Sequence, residues 1–356
     1  MLALSFTAAD LARTRFAVSP LWEVMASARM LRQPGGPALY RPWLEPARAR
    51  LAAARLDWSL LAALVPLPPV MMPVFIAPPP SVPEPDLALE LAVLRATPPE
   101  LVREAVAALD PARLTRLAED LPSPRAEDLP TPRAEGPLTP RAEGPLTRLA
   151  EDPERGLAEL AETVEAYWEL VLAPYWPRML TLLRGDVLHR ARLLAEGGAQ
   201  RLLDSLDPGV SWEHDTLQVP HRYCAGEQEL GGRGLLLVPT VFGGSKVYSI
   251  TSPRWQPTLR YPPRGVATLW EQAPAAAPEA LAAVVGRSRA LLLTELHAPA
   301  STTDLARRTG ITPGGVSQHL TTLRAAGLVT AHRVGRFVLY ARTGAAEALL
   351  TAATGA

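Results

Sequence analysis

The sequence predicts an α+β chain: a mainly helical amino-terminal domain with a small antiparallel sheet, followed by a carboxy-terminal helix–turn–helix with a hairpin behind it. Three observations carry this. Apolar residues recur at helical spacing over most of residues 1–206, the period shifts toward two after residue 211, and a helix, turn, helix, strand, strand pattern occupies residues 301–342. The domains divide as 1–270 and 278–356.

In chain order, Leu2, Leu4 and Phe6 alternate as a short first strand, and Thr7 with Asp10 forms a capping pair that opens a helix. Ser19-Pro20 starts a second helix running to about Leu31, and further helices are expected at 43–54 and 59–64. Residues 59–83 form the one long uncharged run, but nine prolines between Pro66 and Pro85 exclude a continuous membrane-spanning helix, since each interior proline costs about 3 kcal/mol. An extended strap is expected instead, with Met71, Met72, Phe75 and Ile76 tucked inward. Helices follow at 87–95 and 99–109.

Residues 116–155 repeat every eight residues, and LTRLAED at 114–120 recurs unchanged at 146–152. A tandem duplication explains the repeat. Its prolines and shortage of large apolar residues predict a disordered surface loop. Helical spacing resumes at 156–183, bends at Pro174-Tyr175-Trp176-Pro177, and continues through 184–195 and 199–206. Strands are expected at 216–219, 234–241, 246–250 and 258–261, then helices at 265–271 and 278–297.

The carboxy-terminal segment follows from local chemistry. Ser301 or Thr302 caps a helix with Asp304 in its first turn, Gly310 ends it, and Thr312-Pro313 opens the next. Val316, Leu320 and Leu323 form its apolar stripe, while Gly314, Gly315, Ser317, Gln318, Thr321 and Thr322 leave the opposite face small and polar. A strand, a basic turn and a second strand complete a winged helix. Between Gly286 and Arg342 eight arginines stand against Glu295 and Asp304, a local net of +6 in a chain whose formal charge is zero. Such an excess suits double-stranded DNA. The expected base contacts are Ser317, Gln318 and Thr321, and the phosphate or wing contacts are Thr303, Thr312, Arg324, Arg333 and Arg336. The competing reading is a winged helix that docks a protein partner.

The remaining chemistry is sparse. No nucleophile elbow, phosphate loop or HExxH pair is present, so an enzyme is not expected. Cys224 is the only cysteine, which excludes an intrachain disulfide and points to a reducing cytoplasm. His214, His221 and Cys224 are ligand types at a spacing that matches no common metal site, and neither metal nor cofactor is predicted. Tyr167, Trp168 and Trp176 could line a pocket for a small-molecule effector, with Arg178, Arg184 or Arg260 orienting an anion; the alternative is that these aromatics are core.

Asp304-Leu305-Ala306, Val316-Ser317-Gln318-His319-Leu320, Leu323-Arg324-Ala325-Ala326-Gly327-Leu328-Val329 and Gly335-Arg336-Phe337-Val338-Leu339-Tyr340 resemble the ArsR-type winged-helix repressors. The resemblance implies a homodimeric, DNA-binding repressor, with Val284, Val285, Leu291 and residues 345–352 as dimer contacts. It departs from the metal-sensing members: Ser301-Thr302-Thr303 stands where they carry Cys-x-Cys, and residues 344–356 hold no Asp, His or Cys. That argues against a zinc- or arsenic-type switch. LARTRFAVSPLWEVMASARML, AYWELVLAPYWPRML, GRGLLLVPTVF and PTLRYPPRG resemble a domain of uncharacterised function often found ahead of ArsR-type winged helices in actinobacterial regulators.

Overall fold

The structure, a computed structural model, describes residues 1–33, 36–67, 70–109, 144–221, 225–244, 247–270, 279–334 and 337–354. Its first elements are β1 (Leu2–Ser5), α1 (Ala8–Arg13), β2 (Arg15–Phe16), α2 (Pro20–Leu31), α3 (Arg41–Ala54), α4 (Ser59–Leu64), α5 (Leu87–Arg95) and α6 (Pro99–Ala108). After the gap come α7 (Pro145–Glu151), α8 (Pro153–Val171) and α9 (Trp176–Asp204).

Helix α2 is the axis of the helical domain. Ser19 caps it by accepting from the Trp22 amide at 3.0 Å, Pro20 occupies its first turn, and every residue from Pro20 to Leu31 is buried. Burying Glu23 along with the rest requires partners. Its carboxylate accepts from the Val241 and Phe242 amides at 2.7 and 3.0 Å, tying α2 to the chain 218 residues later. Trp43, Leu61, Leu64, Leu91, Leu94, Leu160, Val164 and Tyr167 close the core around it. The proline strap covers one edge: Phe75 and Ile76 are buried as expected, whereas Met71 is exposed.

The sheet is not the single antiparallel one expected. Among the described residues there are two four-stranded sheets, both mixed, built with β3 (Ser211–Glu213), β4 (Thr216–Val219), β5 (Gly226–Glu229), β6 (Leu236–Pro239), β7 (Tyr248–Ile250) and β8 (Thr258–Tyr261). Their orders are β3-β4-β1-β5 and β2-β6-β8-β7; β1 runs parallel to β5, and β6 runs parallel to both β2 and β8. Alternation marks a strand but carries no information on its partner. Here β1 inserts between strands two hundred residues away, and β2 adds to the edge of a sheet equally distant in sequence.

A second correction concerns residues 116–155. Residues 110–143 lie outside those described, but the last repeat copy is helical: α7 buries Leu149, and Asp152 caps α8 by accepting from the Arg155 amide at 3.2 Å. Gly156 lets α8 start beside α7, because a Cβ there would meet Leu149 Cδ1 at 2.6 Å and its Cα at 3.1 Å.

Helix α9 is the long strut. It breaks at Gly197-Gly198, where Gly198 takes φ +68°, matching the expected interruption between 195 and 199. Asp186, buried within it, accepts from the Tyr261 hydroxyl at 2.9 Å and the Arg264 amide at 3.1 Å, fixing the strut to the second sheet. The carboxy-terminal unit consists of α10 (Glu279–Val285), α11 (Arg287–Glu295), β9 (Ala300–Ser301), α12 (Thr302–Thr309), α13 (Pro313–Ala325), β10 (Val329–Val334), β11 (Phe337–Arg342) and α14 (Gly344–Thr354). The helix expected over 278–297 is split at Gly286, whose φ of +86° no helix interior accommodates.

Candidate nucleic-acid interface

The winged helix is assembled by caps. Ser301 Oγ accepts from the Asp304 amide at 3.2 Å and donates to the Asp304 carboxylate at 2.7 Å, starting α12. Gly310 ends it in the left-handed region at φ +71°, and Thr312 Oγ1 then accepts from the Gly315 amide at 3.3 Å to start α13. Val316, Leu320 and Leu323 are buried against Leu292, Leu293 and Leu305. β10 and β11 pair from Val329–Arg342 to Val334–Phe337, and β9 adds Ser301 and Ala300 beside Leu339 and Tyr340.

The outward face of α13 is uncovered. Ser317, Gln318, Thr321 and Thr322 are exposed, as are Pro313 and Gly314. Thr321 and Thr322 donate their hydroxyls to the carbonyls of Ser317 and Gln318, four residues earlier, at 2.9 and 3.1 Å, so each retains only acceptor capacity. Ser317 and Gln318 make no side-chain hydrogen bond among the described residues. Gly314 is informative in a different way. A Cβ there would meet nothing within 4 Å, so the fold itself does not require glycine at a helical position where alanine is about 1 kcal/mol better. Gly315, by contrast, is confined by Ile311 and Thr312 at 3.1 and 3.2 Å.

Of the expected phosphate contacts, Thr303, Thr312, Arg324 and Arg333 are exposed. Arg336 lies outside the described residues. Arg308 is half-buried, and burial draws its guanidinium below the ordinary arginine range.

What periodicity did not reveal is how tightly the helical domain holds this module. Thr181 of α9 lies within hydrogen-bonding distance of Asp304, its Oγ1 3.1 Å from Oδ2, across 123 residues. Arg192 of α9 reaches Thr330 Oγ1 at 3.4 Å and the His332 imidazole at 3.3 Å. Gly185 admits the chain entering β9, since a Cβ there would meet Pro299 Cδ and its carbonyl oxygen at 3.2 Å. The wing sheet therefore has two covered faces. Val329 packs into the module's own core, while Leu339 and Ala341, opposite His332 and Thr330 in register, are buried outside that core on the side where Arg192 arrives.

The expected aromatic pocket is not assembled. Tyr167 is wholly buried, its hydroxyl 3.0 Å from Ser27 Oγ and its ring 6.1 Å from that of Trp58, whereas Trp168 and Trp176 pack edge-to-face on each other at 5.1 Å. All three belong to or border the helical core. A cleft of about 370 Å³ lies elsewhere, lined by Asp57, Arg148, Asp152, Arg155 and Glu159 among others. Of the suggested anion-orienting arginines, Arg184 is paired with Glu84 at 2.6 Å, and Arg260 is buried over Trp22 with Nη2 on the Ala77 carbonyl at 2.8 Å. His221 is 2.7 Å from Ser249 Oγ, His214 sits in a turn at φ 49°, and Cys224 lies outside the described residues. No metal-type cluster occurs among the described residues, and none of their helices is long and apolar enough to cross a membrane.

Residues 285–336 match the MarR family, a winged-helix type other than the ArsR one, so the segment belongs with winged-helix regulators in the broad sense. No curated protein and no solved structure matches the chain. Residues 1–267 match a family of unknown function, DUF5937, and the chain belongs to that family.

Proposed function

We propose that the protein is a DNA-binding transcriptional regulator in which α13 reads a duplex and the wing arginines hold its phosphates. The observation that carries this reading is the state of the α13 outward face. It remains bare, with Ser317 and Gln318 unpartnered among the described residues, while the opposite stripe of the same helix, Val316, Leu320 and Leu323, is packed into the module's core. Gly314, small where the fold leaves open space, lets a groove approach the helix N-terminus. Ser317 and Gln318 supply donors to base edges, Thr321 an acceptor, and Arg324 and Arg333 bracket the duplex through phosphates, with Arg336, Thr303 and Thr312 beside them.

The likeness to ArsR-type and MarR-family proteins supports a homodimer on an inverted repeat. Val284, the most exposed large apolar residue of the described chain at 78%, and Leu349 offer apolar contacts on α10 and α14, which pack on each other. Repression is the sign that needs no further surface, since a dimer seated on its operator excludes polymerase by occupancy. A small-molecule effector would act through the helical domain.

Selection of bound duplexes from a random pool tests the reading. An enriched, two-fold symmetric motif is expected, and Gln318→Ala should relax base choice at one position per half-site. Absence of enrichment, with affinity indifferent to salt, would leave the winged helix as a protein-docking module.

A further inference from the structure

Where α9 lies against α12, guanidinium groups outnumber the acceptors offered to them. Arg178, on the first turn of α9, sends Nη2 to the Thr268 carbonyl at 3.4 Å and buries its Nε without an acceptor among the described residues. Arg308 of α12 buries both Nε and Nη1 in the same condition. Arg307, next to it, bonds Asp304 Oδ1. Three of the seven buried side-chain nitrogens that lack an acceptor among the described residues thus fall at this one seam. Behind burial itself, the charges of Arg307 and Arg308 are what draw Arg178 below the ordinary arginine range, so the three cations share one field.

The acceptors are limited. Asp304 already takes three contacts, Oδ1 from Arg307 and Oδ2 from the Ser301 hydroxyl at 2.7 Å with Thr181 at 3.1 Å. Glu295, buried on α11, is the other carboxylate whose charge reaches Arg308. Three arginines against two carboxylates leave a net of +1 in a place where unpaired charge is expensive. The seam also opens to solvent, because the Arg307 side chain is 49% exposed. A planar oxyanion fork is what buried guanidinium N–H groups are shaped to receive.

We propose that this seam is a binding site for a small oxyanion, a phosphate or a carboxylate, held between Arg178 of the helical domain and Arg307 and Arg308 of the winged helix. Bonded to both sides, such a ligand favours the docked arrangement of the two by as much as it prefers that arrangement to an undocked one. The site stands apart from the duplex-binding reading, and its test contains no DNA.

Inorganic phosphate and, separately, acetate are titrated calorimetrically into the full-length protein at constant ionic strength held with sodium chloride. Phosphate or acetate should bind once per chain with a dissociation constant in the millimolar range or below and raise the melting temperature; the tighter of the two identifies the chemistry. Arg178→Gln and Arg308→Gln, one from each side of the seam, should each weaken binding at least tenfold. Arg178→Lys keeps the charge but removes the Nε donor and should weaken it as well, which preserves the test if a glutamine variant fails to fold. The proposal is overturned if neither anion exceeds chloride, or if binding persists unchanged in the variants on both sides, which would place the anion elsewhere.

Discussion

Asp304→Asn isolates the electrostatic part of the domain seam, because the side chain keeps its shape and loses its charge. The ion pair with Arg307 is half exposed and contributes about 0.5 kcal/mol after screening. Ser301 donates to Oδ2, and Thr181, with one hydroxyl proton to divide between the Pro177 carbonyl at 2.8 Å and Asp304 at 3.1 Å, donates in part. Exchanging a charged acceptor for a neutral amide removes about half of the roughly 1.5–3 kcal/mol such a bond provides, or about 1–2 kcal/mol over both. Arg178 and Arg308 also lose a counter-charge. A total of about 2–4 kcal/mol results, somewhat below the range of about 3–5 kcal/mol for breaking a fully buried pair. Urea denaturation followed by circular dichroism should show this loss in a phosphate-free buffer, so that no added anion takes the place of the carboxylate. A loss under about 0.5 kcal/mol, or separate unfolding of the two domains already in the parent protein, would refute the idea that the seam carries cooperative stability.

Three further outcomes are expected. Burial raises Glu23 to about 7 from 4.5, against the hydrogen bonds it receives, so the folded state keeps a proton that the unfolded chain gives up. The contribution of Glu23 to stability should therefore fall by roughly 3 kcal/mol as pH rises from about 4.5 to 7 and level off above; Glu90, likewise raised to about 7 by burial, adds a slope of the same sign, so Glu23→Gln should remove only the Glu23 share of it in urea titrations. Arg333→Ala should weaken binding to all duplexes alike and reduce the steepness of log K against log salt by about 0.9 per protomer; an unchanged slope removes the residue from the phosphate contacts. Val284→Asp, at a site that costs the monomer little, should shift the species seen by sedimentation from dimer to monomer, and a dimer that survives it would place the interface away from α10.

Much of the winged helix was legible because its determinants are local. Ser301 with Asp304, Gly310, and Thr312 with Pro313 each act within four residues, and the stripe of Val316, Leu320 and Leu323 needs only helical geometry to form a face. The same holds for α2 behind Ser19-Pro20 and for the break at Gly197-Gly198. Strand partners were not legible, nor was the helicity of residues 145–155, because each depends on a surface supplied by distant chain.

By itself, then, the chain determined where helices begin and end and which helix face is left polar, since caps and periodicity are short-range. Only the tertiary structure decided what that module rests on. Thr181 with Asp304 and Arg192 with His332 join residues more than a hundred positions apart, and whether an arginine such as Arg308 meets water or a buried seam is set by the element packed over it.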